Sequence, residues 1–365
     1  MPEATMKTPF HHRHIALGAK MVPFAGFDMP VYYQSIRNEH IHVRNHVGMF
    51  DVSHMGEFFV TGADAEAFVN RMTINNVSRL AVNQVQYSAM CYENGGIVDD
   101  LLVYRFEDHY LLVVNASNIE KDFNWLQEHL EGDVTLTDRS SEYGLLALQG
   151  PRSIELLNRL TDLDLEEIPY YSFREGKLAE QQLIFSRTGY TGEVGFELYI
   201  PTESCLPVWD LLVESGADFN LQPIGLGARD SLRLEMKFCL YGNDIDKHTT
   251  PLEAGLGWIT KTKKKSDFIG KPILQQQRLE GVSRKLIGFE LLDKGIPRHG
   301  YPLLIDGEEK GHVTSGMMSP MLNRGIGLGY LPVDQAQIGQ EIAVSIRDRQ
   351  LAGRVVETPF YKPGA

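Results

Sequence analysis

Two short segments of this chain carry residue types and spacings that could do chemistry. The first is Gly95-Gly96-Ile97-Val98-Asp99-Asp100. An Asn94-Gly95 pair between two alternating apolar runs predicts a tight hairpin, because such turns need backbone conformations that glycine adopts freely. In the strand that leaves the turn, Val98, Asp100 and Leu102 share one face, and Ile97, Asp99, Leu101 and Val103 share the other. Whichever face is inward, a carboxylate is set among aliphatic side chains. Burying an unpaired carboxylate is costly, so each Asp needs donors, an exposed edge or a ligand. Two readings stay open: a turn cap beside a solvated acid, or a catalytic acid in a pocket.

The second segment is Arg187-Thr188-Gly189-Tyr190-Thr191-Gly192-Glu193-Val194-Gly195-Phe196-Glu197. Its three glycines imply a constrained loop with close backbone approach, either a twisted hairpin turn or a site. As a site, Tyr190 supplies an aromatic face. Glu197 supplies a two-oxygen fork that suits a planar amino-pyrimidine edge as it suits guanidinium. Tyr87, Tyr170 and Tyr171 are further aromatics able to line a planar ligand, although each alone reads as core. Gly225-Leu226-Gly227-Ala228-Arg229-Asp230 resembles a nucleotide loop only on the surface. Its sixth position is Asp, no strand-first βαβ unit surrounds it, and that carboxylate would repel a pyrophosphate. Arg229 falls in the first turn of a helix, where it opposes the helix dipole and calls for an anionic or carbonyl partner.

Other combinations argue for less. His42 and His46 lie four apart on an expected helix, and His11, His12 and His14 cluster near the start, but HExxH is missing and no carboxylate is placed as a third ligand. No metal is expected. Asp51-Val52-Ser53-His54 holds the residue types of a catalytic triad without a GxSxG elbow, and reads as structural.

The elements that must position these residues follow from periodicity and punctuation. Strands are expected at 57–60, 86–92, 97–106, 110–115 and 143–149, with the middle three forming an antiparallel meander. Helices are expected at 64–72, 119–129, 153–160 (opened by Gly150-Pro151), about 206–215, 228–237 and 270–279. A second strand group runs over 173–200. The polar stretch 280–285 is the expected linker. Beyond it, short strands at 286–292, 311–314, 327–330, 341–346 and 351–356 suggest an all-β barrel or sandwich. The class is therefore α+β and multi-domain, with antiparallel sheets and flanking helices.

The chain has 365 residues, room for two or three domains with cores of their own. Its formal net charge of −13 argues against nucleic acid or an anionic membrane as the main partner. Cys91, Cys205 and Cys239 are odd in number, far apart and without CxxC, which favours a reducing compartment over a disulfide framework or a zinc site. The histidine-rich start lacks the apolar core of a signal peptide, and no run approaches the roughly 20 apolar residues of a membrane span. A cytoplasmic protein is expected.

Taken together, Phe24 to Pro30, Gly48-Met49-Phe50-Asp51-Val52-Ser53-His54-Met55-Gly56, Gly95 to Leu101, Leu148-Gln149-Gly150-Pro151, Ser186 to Glu197, Gly225 to Asp230 and Thr314-Ser315-Gly316 resemble the glycine cleavage aminomethyltransferase (T-protein) family. The resemblance spans the chain in order and shows no departure at these motifs; only the His-rich start and the Lys261–Lys265 run read as peripheral. It implies a cloverleaf arrangement, with a folate-binding region over 1–279 (two intertwined α+β lobes, the second built around 51–140) and a C-terminal β-barrel domain over 284–365. It also implies transfer of a one-carbon unit from the aminomethyl-lipoyl arm of H-protein to tetrahydrofolate. The products would be 5,10-methylenetetrahydrofolate, ammonia and dihydrolipoyl H-protein. Tetrahydrofolate would be a co-substrate, lipoylated H-protein the partner, and no metal would take part.

By the same resemblance Asp100 would be the catalytic carboxylate, accepting a proton and stabilising developing positive charge, with Asp99 structural. Glu197 would hold the pterin amino edge. Tyr87 and Tyr190 would pack on or hydrogen-bond the folate, with Tyr170 and Met55 also in its pocket, and Arg229 would meet a folate oxygen. Asn115, on the neighbouring strand, would orient groups near the reacting carbon. Arg298, in Gly295-Ile296-Pro297-Arg298-His299-Gly300, would meet the folate tail carboxylates. Two related groups compete. Sarcosine and dimethylglycine oxidising flavoenzymes need a flavin domain ahead of this module, and this chain begins at the module. The folate-binding iron–sulfur maturation factor, without transferase activity, carries a lysine-glycine-cysteine-tyrosine motif where this chain has Arg187-Thr188-Gly189-Tyr190.

Overall fold

A computed structural model describes residues 5–347 and 349–362. The chain packs as two compact units, each assembled from separate stretches: residues 1–66, 78–86 and 102–232 form the first, and residues 67–77, 87–101 and 233–365 the second. No helix among the described residues is long and apolar enough to cross a membrane.

The first unit is organised by a six-stranded sheet in the order Phe173–Leu178, Gln181–Ser186, Gly195–Pro201, Tyr143–Gln149, Val47–Asp51, Leu221–Ile224. All neighbours are antiparallel except the last pair, which is parallel. Its central strands are apolar on both faces, which explains why Tyr143–Gln149 reads as a continuous apolar run rather than an alternation. Leu146, Leu148, Phe196 and Leu198 enter one core with Trp209 and Phe219. Leu145, Ala147 and Tyr199 point the other way, into a second core with Phe50, Tyr104 and Phe173. Glu197 lies two residues before Tyr199, on the side facing that second core.

The second unit contains a closed barrel in the order Arg284–Leu291, Arg324–Pro332, Glu308–Ser319, Pro302–Ile305, Glu341–Ile346, Arg349–Val356. Closure comes from antiparallel pairing of Gly288 with Val356 through Leu291 with Gly353. The strand Pro302–Ile305 was not expected from the sequence; a two-residue turn at Asp306-Gly307, both with positive φ, pairs it with the next strand. The expected linker is shorter than 280–285, because the helix Lys271–Glu280 runs to its edge and the first barrel strand begins at Arg284.

Buried charge braces this unit. Arg233, 1 % exposed, pairs with Asp244 at 2.6 Å and donates to Ser315 Oγ at 2.8 Å. Asp244 also accepts from Thr314 Oγ1, Ser315 Oγ and the Leu240 amide. The Thr314-Ser315-Gly316 motif thus belongs to a structural ion-pair cluster in the barrel.

Two expectations about the periphery are corrected. His14 is fully buried: its Nε2 meets Asp51 Oδ2 at 2.9 Å and its Nδ1 meets the Tyr33 hydroxyl at 2.8 Å. Lys264 is also buried. Its ammonium donates to the carbonyl oxygens of Asn70, Thr73 and Asn75, so it gathers carbonyls around the end of the helix that finishes at Met72.

Candidate functional site

The functional residues expected from the sequence fall into two groups. In the first unit, Glu197 sits in mid-strand, opposite Ser186 on one neighbour and Ala147 on the other. It is 7 % exposed, and its Oε2 accepts from Thr188 Oγ1. Burial pushes its carboxyl above the usual carboxylate range, against the Thr188 hydrogen bond and the positive charge of Arg229.

The loop that carries Tyr190 is built around Gln149. Gln149 Oε1 accepts from Thr191 Oγ1 at 2.8 Å, and its Nε2 donates to the Thr188 carbonyl at 3.2 Å. A Cβ at Gly189 would lie 2.1 Å from that same Oε1, so only glycine fits there. Arg44 clamps the loop from outside, donating to the Thr191 carbonyl at 2.7 Å and to Glu193 at 2.9 Å.

Arg229 lies in the helix Leu226–Glu235, which is pinned at its start. Buried Glu39 accepts the Gly225 amide at 2.9 Å and the amides of Tyr33 and Gln34 at 2.7 and 2.9 Å. His40 Nδ1 meets Ser231 Oγ at 2.7 Å. The partner that Arg229 needs near a helix start is therefore present: its guanidinium carbon stands 4.8 Å from the Tyr190 ring centre, and the Glu197 charge opposes the lowering that burial imposes on it. The same positive charge helps hold His54 neutral. That imidazole is 3 % exposed, its Nδ1 has no hydrogen-bond partner, and burial followed by Arg229 lowers its pKa to about 4.

Around this group, Tyr170 is 59 % exposed and packs edge-on against Tyr171, and the Glu197 charge raises both phenols further than burial alone. Tyr170 is thus a surface aromatic beside the carboxylate, not a core residue. Met55 is half-buried and packs against the second core. Asn115 is half-buried and, instead of ending the strand Tyr110–Val114, is the residue just beyond it, where the chain enters a short 3₁₀ turn.

In the second unit the hairpin forms as the sequence predicts. Gly95 has a φ of +82°, and the Gly96 amide donates to Asn94 Oδ1 at 2.9 Å. A Cβ at Gly96 would lie 2.0 Å from the Lys247 carbonyl oxygen, so the turn is pressed against the 246–249 segment, where the Ile97 amide meets the carbonyls of Asp246 and Thr249. The alternation separates the two acids: Asp99 is fully buried, while Asp100 is half-exposed and accepts the Tyr87 hydroxyl at 2.8 Å. The Tyr87 ring in turn stacks on Trp258, with centres 6.0 Å apart.

Trp258, 59 % exposed, was missed by sequence reasoning. An indole left open beside a Tyr–Asp pair is a binding-surface signature, but nothing in its local sequence distinguishes it from a core aromatic. Arg298 is exposed, on a loop whose Pro297 carbonyl would lie 2.7 Å from a Cβ at Gly316. No cluster of potential metal ligands occurs among the described residues.

The chain is α+β, with antiparallel sheets and a closed C-terminal barrel, and comparisons with known proteins place it more narrowly. Residues 10–264 match the GCVT N-terminal domain and residues 284–362 the glycine cleavage T-protein C-terminal barrel domain. The chain belongs to the glycine cleavage T-protein family. An aminomethyltransferase of Bacteroides fragilis is 53 % identical over 358 residues, covering 97 % of this chain and 99 % of the relative. An aminomethyltransferase of Halothermothrix orenii is 51 % identical over 355 residues, with 97 % and 99 % covered. The crystal structure of the glycine cleavage system aminomethyltransferase T of Bartonella henselae superposes with a TM-score of 0.92 at 32 % identity, covering 99 % of both chains.

Proposed function

We propose that this chain is the aminomethyltransferase of a glycine cleavage system, moving the one-carbon unit of an aminomethyl-lipoyl arm on H-protein to tetrahydrofolate with release of ammonia. Near-full-length identity to aminomethyltransferases carries the reading. The first unit's polar cluster fits a reduced pterin on physical grounds: a buried carboxylate with its own cation and an aromatic face beside it suits a flat heterocycle that presents paired N–H donors.

Tetrahydrofolate supplies the nucleophilic nitrogen that takes up the carbon unit. Glu197 accepts the pterin's amino edge, Tyr190 and Tyr170 bound its ring, Met55 closes the apolar side, and Arg229 meets an oxygen of the ligand. Asp100, which accepts the Tyr87 hydroxyl, accepts a proton and faces developing positive charge at the reacting centre. Asn115 orients groups there, and Arg298 draws the negative tail of the folate. The folate-binding region is assigned to 1–279 and the barrel domain to 284–365. The setting is the cytoplasm.

The iron–sulfur maturation reading is not favoured, because position 189 holds glycine where that group has cysteine. Mixing the chain with aminomethylated H-protein and tetrahydrofolate tests the proposal. Stoichiometric ammonia release is expected. Absence of ammonia with folate bound would point to the non-transferase relative.

A further inference from the structure

From Glu197, starting at Thr188 in the loop that carries Tyr190, four hydroxyls form an unbroken buried row. Thr188 Oγ1 donates to Glu197 Oε2; Ser186 Oγ lies 2.9 Å from Thr188 Oγ1; Tyr104 OH lies 3.0 Å from Ser186 Oγ; Tyr199 OH lies 2.8 Å from Tyr104 OH. None of the four is more than 3 % exposed. They come from three places: the strand Gln181–Ser186 and the turn after it, the strand Gly195–Pro201, and residue 104 of the strand Ile97–Arg105.

A hydroxyl has one proton to give, so an ionised carboxylate at one end fixes the sense of the whole row. Thr188 spends its proton on Glu197 and must accept from Ser186. Ser186 must then accept from Tyr104, and Tyr104 from Tyr199. Every O–H points toward Glu197, and each bond polarises the next. A protonated Glu197 removes the reason for this order, since its own O–H competes to donate to Thr188.

We infer that Tyr199, Tyr104, Ser186 and Thr188 form a one-way hydrogen-bond chain whose task is to keep Glu197 ionised and its two oxygens aimed for an N–H donor ligand. The inference rests on the folate reading above for the identity of that ligand. None of the four touches the ligand; they are positioning residues acting through Glu197. The need for such a device is plain from the surroundings, because burial favours the uncharged acid. The charged and titratable groups facing Glu197 are Arg229, which favours ionisation, and the phenols of Tyr104, Tyr170, Tyr171 and Tyr199, whose own titration the carboxylate opposes. Arg229 is the cation among these groups, and the hydroxyl row supplies a second stabilising influence through Thr188.

The test follows binding of 5-formyltetrahydrofolate to the full chain by calorimetry from pH 5.5 to 8.5. In the unaltered protein, affinity falls as the pH drops and Glu197 takes up its proton. Thr188→Val is expected to move that fall to higher pH and to weaken binding about tenfold near pH 6, as the loss of a hydrogen bond to a charged group implies. Thr188→Ser is expected to restore the original profile, and Tyr104→Phe to shift it in the same direction by less. A merely structural row would lower stability or affinity equally at every pH. Where Glu197→Gln does weaken folate binding, an unchanged profile in Thr188→Val, or no rescue by serine, overturns the inference. A second readout separates it from the ligand assignment: the carbon-13 carboxyl resonance of Glu197 in the ligand-free chain must titrate at higher pH in Thr188→Val. If Glu197→Gln leaves folate binding intact while that shift is present, the ligand assignment fails and the relay stands; if the resonance does not move, the relay fails.

Discussion

Glu197 and Asp100 are both carboxylates that leave a glycine-rich turn on a strand, yet the molecule treats them in opposite ways. Glu197 is nine-tenths buried, tied to a row of hydroxyls and balanced by Arg229. Asp100 is half-exposed and accepts the Tyr87 hydroxyl at 2.8 Å. The first arrangement fixes an acceptor in one orientation, which suits holding a ligand. The second sets a partly exposed carboxylate beside the stacked Tyr87 and Trp258 rings, which suits a group that must exchange a proton during a reaction. The second unit also holds the counter-example of a purely structural acid, Asp244, whose two oxygens take Arg233, Thr314, Ser315 and a backbone amide.

The contrast can be broken most visibly at Asp100. Asp100→Asn is expected to slow single-turnover ammonia release about 10²–10⁴-fold, the usual range for a lost proton acceptor, with the fold unaltered. Turnover near normal would remove Asp100 from the chemistry.

Asp244→Asn should act on stability instead. It strands the Arg233 guanidinium, 1 % exposed, without its counter-charge, at a cost of about 3–5 kcal/mol read from urea unfolding. A change under about 1 kcal/mol would mean that Ser315 and the Phe238 carbonyl suffice for Arg233.

Glu197→Gln comes next. An amide presents one acceptor and one donor to a ligand edge that offers two N–H groups, so tetrahydrofolate affinity should drop roughly tenfold to a hundredfold. Saturating folate should recover most of the transfer rate.

The smallest effect concerns His54 in the first unit. In the unfolded chain it takes up a proton near pH 6.5, but in the folded chain only near pH 4. The unfolded state therefore binds more protons across that window, and stability falls as pH drops through it. His54→Asn should recover about 1–2 kcal/mol of the loss seen between pH 7 and 5, measured by denaturant midpoints at the two pH values. An identical slope in the variant would show that other groups cause it.

Much of this was legible in the sequence because the signals were local. The Asn94-Gly95 turn, the alternation that splits Asp99 from Asp100, and five of the six barrel strands all depend on neighbours in the chain. What stayed hidden was set by distant partners. His14 reads as one of a surface cluster until Asp51 and Tyr33 close around it. Lys264 reads as part of a basic surface run until three carbonyls surround it. Thr188 and Ser186 are visible in the glycine loop, but Tyr104 and Tyr199 join their row only through sheet pairing. The exposure of Trp258 likewise has no local cause.

The division of labour between the two acids is tested most directly by one titration: the tetrahydrofolate dissociation constant of Asp100→Asn set beside that of Glu197→Gln. Asp100→Asn should bind folate within a few-fold of the unaltered chain while Glu197→Gln binds at least about tenfold more weakly. Equal losses in both variants, or a larger loss at Asp100, would contradict the assignment of one carboxylate to holding and the other to chemistry.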